Sequence, residues 1–342
     1  MANDKVSKNR SNKLVTVIVT IAVLILSYLG VDFSGILEPT TNPNEGNVGN
    51  QIVTDVEGTM QVHFIDVGNA DSTLIVQGDE AILIDAGTKS RGDDVVEYIK
   101  SLGIKKLKAF ILTHPHDDHM GGSSYVLDNV EIDVVYGPDI FDIKELYTKG
   151  WYKSMVASVE NIDAKRNEGK PEDEWTSVWN FPRTPGDNDF VTLKVGQAVV
   201  QFIAPNSDEY SDMNDYSVVS RVTFGTVDVL IMGDATKLSE KEILNAGWTV
   251  DAEVYRIGHH GSVTSTGKEF IDAVNPEYVV ISCGLGNKHK HPDEEVVSML
   301  EEMQLPLYRT DESGTIVMTT DGENIEFDKS PGTYENGEEK GE

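Results

Sequence analysis

The sequence predicts an α+β fold in which two β-sheets pack together with helices outside, preceded by a single N-terminal transmembrane helix. Three observations carry this reading. About ten strand-like runs interleave with four or five helical patterns between residues 59 and 326, which suggests two packed sheets. Turn signals such as Phe224-Gly-Thr-Val and Gln77-Gly-Asp-Glu make many strand neighbours antiparallel. Residues 14–29 are uncharged and nearly all apolar, with Lys5, Lys8, Arg10 and Lys13 ahead of them.

Taken in order, residues 1–13 are expected in the cytoplasm and 14–31 as a transmembrane anchor. The apolar run is slightly shorter than the ~20 residues that cross a bilayer, so a signal peptide remains the competing reading. Either way the basic flank stays inside, and the rest of the chain lies outside the cytoplasm. The protein is then single-pass in the cell membrane, or secreted if the segment is cleaved. Residues 32–58, rich in Pro, Asn and Gly, read as a flexible linker.

Strands are predicted at 60–65, 72–76, 81–84, 107–112, 191–195, 199–203, 218–224, 227–231, 252–257 and 278–282. Helices are predicted at 93–102, 237–246, 268–274 and 292–303. Residues 137–190 interrupt the pattern and read as an inserted helix plus long loop, carrying Trp151, Trp175 and Trp179. Residues 327–342 read as a disordered acidic tail.

Composition excludes several classes. Lys+Arg 28 against Asp+Glu 58 gives a net charge of −30, which repels nucleic acid unless a local basic patch or metal ions offset it. Cys283 is the single cysteine, so no disulfide framework or Cys-rich zinc module is available. It sits in an apolar run and is expected in the core.

The informative segment runs from Leu112 to Gly122 and holds His114, His116, Asp118 and His119 directly after an apolar strand. His-x-His at a strand end sends both imidazoles out of one face. Asp118 and His119, at the start of the next element, can turn toward the same point. Imidazole nitrogens and carboxylate oxygens suit Zn²⁺, Mn²⁺ or Fe²⁺.

Asp85 in Leu83-Ile-Asp-Ala-Gly, the His-x-His-x-Asp-His run, Asp234 in Ile231-Met-Gly-Asp-Ala and His260 in Gly258-His-His-Gly resemble the ordered motifs of the metallo-β-lactamase superfamily. Residues 64–71, 214–219, 233–234, 258–262, 281–292 and 309–316 are similar to its ComEC-like branch, the extracellular domain of a competence protein. The resemblance covers about residues 60–320. It implies an αββα metallo-β-lactamase sandwich with two divalent metal ions, Zn²⁺ or Mn²⁺, at one edge. No histidine lies between His119 and Asp234, so the superfamily's third-motif histidine is absent, as it is in the ComEC-like branch. One hydrophobic segment stands where ComEC carries many, so a DNA-import channel is not expected.

On this resemblance His114 and His116 hold one metal with a shared Asp234, while Asp118, His119 and His260 hold the other. Two ions ~3.5–4 Å apart hold a bridging hydroxide and stabilise phosphoryl oxygens. Asp85 is expected to orient a ligand rather than bind metal; Asp66, the second candidate for that role, and Asp71 fall near the same edge, with a turn-forming role equally open for each. Asp118, His259 and His291 are candidate catalytic residues, with a packing role also open for His259. Asn214, Ser262 and Asn287 are candidate phosphate donors. His63 reads as structural and His289 as solvated. The implied activity is that of an extracytoplasmic metal-dependent phosphodiesterase or nuclease. Its partners would be a phosphodiester substrate, nucleic acid or envelope polymer, and the membrane. A teichoic-acid phosphorylcholine esterase is the alternative within this class, with β-lactamase or lactonase chemistry and non-catalytic binding as the other classes.

Overall fold

The computed structural model describes residues 56–183 and 189–337. The expected anchor at 14–31, its flank and the linker up to residue 55 lie outside the described residues. Among the described residues, no helix is long and apolar enough to cross a membrane.

One sheet is built on the antiparallel meander β1 (Met60–Phe64), β2 (Thr73–Gln77) and β3 (Glu80–Ile84). Away from the sheet, β4 (Lys106–Leu107) pairs with β6 (Glu131–Ile132). β5 (Ala109–Ile111), β7 (Val135–Tyr136) and β8 (Trp179–Asn180) extend the sheet in parallel beyond β3. The second sheet opens with the meander β9 (Thr192–Val195), β10 (Ala198–Phe202), β11 (Ser220–Phe224) and β12 (Val227–Ile231). It continues in parallel through β13 (Val254–Arg256), β14 (Tyr278–Ile281) and β15 (Leu307–Arg309). The chain then returns to the first sheet, where β16 (Ile316–Thr320) pairs with β1 and β17 (Ile325–Phe327) forms the edge.

The two-residue alternation of strand side chains explains the layering. Ile82 and Ile84 face the apolar layer between the sheets, with Phe64, Val200, Val222 and Val229. Leu83 faces the other way, onto α1 (Gly92–Ser101), α3 (Ser123–Asn129) and α4 (Gly150–Asn167), while α2 (Asp117–Met120) is a single turn between them. On the far side, Leu230 and Tyr255 meet α5 (Lys237–Ala246), α6 (Lys268–Val274) and α7 (Glu294–Glu302). The result is an αββα sandwich. Helix α5 shows why these residues stop and start where they do. Thr236 caps it by accepting from Leu238 N–H, and Gly247 ends it in the left-handed region at φ 77°.

Two expectations change. The 137–190 insertion contributes β8 to the sheet as well as α4. Trp151 and Trp179 are core residues, and only Trp175, 57% exposed, faces solvent. The tail expected to be disordered is ordered as far as Gly337. Gly332 N–H donates to Leu307 O (2.7 Å), Tyr334 Oη to Leu305 O (2.7 Å), and Arg309 to the carbonyls of Thr333 and Glu335. Its partners are backbone carbonyls, one buried guanidinium and the Glu312 carboxylate, which a polar composition does not reveal.

Candidate metal centre

Six strands end at one edge of the sandwich, and the residues just beyond them converge there. Asp85 follows β3, His114 follows β5, Asp234 follows β12 and His260 follows β13, while Ser282 and Thr310 follow β14 and β15. The polar residues begin where the ladders stop, because inside the strands both faces are covered.

Among the described residues four overlapping groups of ligand atoms form, two of which also draw in Asp71; the other two match the expected ligands. His114, His116 and Asp234 make one, and Asp118, His119 and His260 make the other, each with its atoms within 4.8 Å of one another. Asp234 lies between them. Its Oδ1 is 3.1 Å from His119 Nε2, and its Oδ2 is 3.7 Å from His114 Nε2 and 4.0 Å from His260 Nε2.

Each imidazole is aimed by what its other nitrogen touches. His119 Nδ1 meets Asp85 Oδ2 at 2.7 Å, and His260 Nδ1 donates to Ser282 O at 2.9 Å, so both turn Nε2 inward. His114 Nδ1 lies 3.1 Å from Thr113 Oγ1 and 3.4 Å from Ser217 Oγ. Asp85 is held in turn by Thr113, whose N–H and hydroxyl donate to its two oxygens at 2.8 and 2.7 Å. Asp85, His259 and His260 all occupy the left-handed backbone region, at φ 57°, 52° and 55°. Non-glycine residues enter that region at a cost and gather where a site demands it.

The charges are arranged accordingly. Burial raises the Asp234 carboxyl, but His119 and His260 beside it more than offset this and hold it well below the usual carboxylate range. Asp118 follows the same balance, with His260 and His119 outweighing burial. Burial pushes His119 down, yet Asp234 and Asp85 carry it well above the ordinary histidine value. His114 moves the other way: burial, then His119, keep it neutral, the form that coordinates metal.

The residues fit divalent cations. His119 Nε2, His260 Nε2, Asp234 Oδ1 and Asp71 Oδ2 are buried without a hydrogen-bond partner, an arrangement that is costly unless something electrophilic meets those lone pairs. A cation between the two groups supplies it, and imidazole nitrogens with carboxylate oxygens are donors that zinc and manganese both accept.

Other expected residues fall into place differently. His259 reaches the cluster, with Nε2 3.6 Å from Asp234 Oδ2 and Nδ1 3.1 Å from Thr264 Oγ1. His291 is buried beside it, ring centroids 5.5 Å apart, and burial followed by His260 pushes its pKa down to about 4. Ser262 shares its hydroxyl with Thr264 in the turn beyond His260. Asn214 is buried in the turn Met213–Tyr216, which delivers Ser217 to Asp234 N–H.

Two assignments are corrected. Asn287 has no donor left for a phosphate, because its Nδ2 donates to both Gly284 O and His291 O while its Oδ1 accepts from His289 and His291 N–H. Asp66 is exposed and caps its own turn by accepting from Gly68 N–H (3.1 Å), so it orients no ligand.

Asp71 lies beside two of the ligand histidines, outside hydrogen-bond reach of either. Its Oδ2 lies 3.6 Å from His119 Nδ1, and its Oδ1 pairs with Arg256 and lies 3.7 Å from His260 Nδ1. Arg256, 1% exposed on β13, also donates to Gly233 O at 2.8 Å, and burial lowers its pKa to about 9. An arginine in the apolar run Val254-Tyr-Arg-Ile257 is the one trace of this pair in the sequence.

Residues 65–285 match the profile of the metallo-β-lactamase superfamily. Among curated relatives, the chain is 28% identical to "ComE operon protein 3" of Bacillus subtilis over 75% of this chain and 32% of that protein. It is also 28% identical to "Competence protein ComA" of Neisseria gonorrhoeae over 76% of this chain and 32% of that one. The chain thus spans about a third of the length of these relatives. A shorter match, 39% identical over 71 residues, covering 18% of this chain and 12% of that protein, is to "Ribonuclease J" of Mycoplasma pneumoniae.

Proposed function

Because the chain belongs to the metallo-β-lactamase superfamily, whose members are generally metal-dependent hydrolases, we propose that it hydrolyses phosphodiesters outside the cytoplasm, held to the membrane by residues 14–31. The observation that carries this reading is the buried carboxylate of Asp234 lying between two ligand groups. Two divalent cations held there supply Lewis acidity and a water nucleophile for attack at phosphorus. The rest falls to the protein. His291, kept neutral, donates its N–H to a phosphoryl oxygen as negative charge builds. Asp118, with its side chain 32% exposed and beside His260, faces the attacking water and orients it. His259 lines the approach from the solvent side.

Names among the relatives favour a nucleic acid as substrate. The net charge of −30 favours the second reading, a phosphodiester of an envelope polymer, because an acidic surface repels long polyanions. The test is a panel of bis-p-nitrophenyl phosphate, single- and double-stranded DNA, RNA, teichoic-acid fragments and nitrocefin, each with Zn²⁺ and with Mn²⁺. Turnover of a diester that His116→Ala abolishes supports the proposal. Turnover of nitrocefin alone, or none by protein carrying two metals per chain, refutes it. Protease added to intact protoplasts should remove the domain, and its protection would refute the anchored, external placement.

A further inference from the structure

We propose that residues 332–337 form a strap that positions His291 over the metal centre and so sets turnover without touching substrate. This rests on the reading of His291 as a donor to the phosphate.

The loop carrying His291 is gripped from two sides. Within it, Asn287 accepts from His291 N–H (3.0 Å) and donates to His291 O (2.7 Å). From outside, Gly337 N–H donates to Pro292 O at 2.9 Å. The fit is tight: a Cβ on Gly337 would overlap the backbone of Lys290 and His291, which cannot move away as a flexible side chain can. The loop therefore sits between its own asparagine and a segment that arrives about 45 residues later in the chain.

The strap is itself anchored at four points, one of them Thr333, whose N–H and hydroxyl donate to the Glu312 carboxylate. Gly332 N–H bonds Leu307 O, Tyr334 Oη bonds Leu305 O, and Arg309 donates to the carbonyls of Thr333 and Glu335. Arg309 is fully buried and held by Asp311 at 2.8 and 3.0 Å. The next residue, Thr310, brackets Cys283 by accepting from its N–H and donating to its carbonyl, both at 2.9 Å. Cys283 follows Ser282, whose carbonyl aims His260. One end of β15 thus holds both the strap and the backbone that orients a candidate ligand. The strap is thus fixed along β15 and its flanks and makes its one backbone bond to the catalytic loop at Pro292, next to His291.

The test is a double-mutant cycle on the full chain with His291→Ala and Gly337→Ala. Turnover is measured on whichever diester the protein cleaves best, with metal content and thermal midpoint measured alongside. His291→Ala should lower kcat by about 10²–10³-fold, the loss typical for one oxyanion donor. Gly337→Ala displaces the same donor, and should lower kcat by roughly 10- to 100-fold with metal content unchanged. The double variant should be no slower than His291→Ala alone by more than about threefold. Gly150→Ala, away from the strap and where a Cβ meets nothing within 4 Å, is the control and should keep its turnover.

Losses that multiply would show the strap acting on general stability, and would overturn the proposal. So would full turnover in Gly337→Ala. If His291→Ala keeps its activity while Gly337→Ala loses it, the strap does not act through His291 and the proposal falls. If both keep it, the reading of His291 falls as well. Should Gly337→Ala fail to fold, Tyr334→Phe removes a single strap hydroxyl and enters the same cycle, with an expected loss of about two- to tenfold.

Discussion

Asp71→Asn isolates the ion pair beneath the metal centre. The substitution keeps the side chain's shape and removes the charge that faces Arg256. Both partners are buried, with side chains 6% and 1% exposed, so the guanidinium is left without a counter-charge and out of reach of water. Removing one partner of a buried pair costs about 3–5 kcal/mol. Arg256 keeps its bond to Gly233 O, which points to the lower end, about 3 kcal/mol. Urea unfolding in the presence of chelator reads this free of any metal contribution. With a slope near the upper end of ~1–3 kcal/mol/M for a domain of this size, the midpoint should fall by about 1 M. Adding Arg256→Met removes the stranded charge, and most of the loss should return, because apolar replacement of a whole buried pair is often neutral. A single variant that loses under about 1 kcal/mol, or a double variant whose losses simply add, would refute the reasoning.

Asp85→Asn leaves a side chain that still reaches Thr113 and His119 but no longer fixes the tautomer, and should weaken metal binding about 10- to 100-fold in a chelator competition. Burial pushes Glu240 up to about 8, from an unfolded value near 4.5, so its contribution to stability is full below pH 4.5 and is lost as pH rises toward 8. Glu240→Gln should therefore gain on the parent progressively between pH 4.5 and 8 in denaturation curves, and an unchanging difference would refute this. Trp179→Ala should cost about 3–5 kcal/mol in unfolding experiments, because the ring is buried against Phe141. Trp175→Ala, at an exposed ring, should stay within about 0.5 kcal/mol.

The candidate site was legible where its chemistry is local. Four of its ligand residues lie between 114 and 119, and Asp234 and His260 each close a strand whose apolar run is plain. Long strands and helices were legible for the same reason: 227–231, 237–246 and 268–274 have the predicted bounds. Strands β7 and β8 were not, since two residues carry no periodicity and their partners make them strands. The Asp71–Arg256 pair joins positions 185 residues apart, and its acid resembles any turn-forming aspartate. Asn287 shows the converse. Its residue type suits a phosphate, but its local backbone consumes every donor it has.

The edge where the strands end also has a mechanical meaning. His114, His116 and His119 leave the first sheet and Asp234 and His260 leave the second, so ions shared among them tie the two halves of the sandwich together. The tied positions lie more than a hundred residues apart, in a chain whose lone cysteine cannot cross-link anything within it. An ion bound at 100 times its dissociation constant stabilises the folded state by about 2.7 kcal/mol. The centre would then act as a reversible staple, and the lifetime of the folded domain would follow the local supply of transition metal.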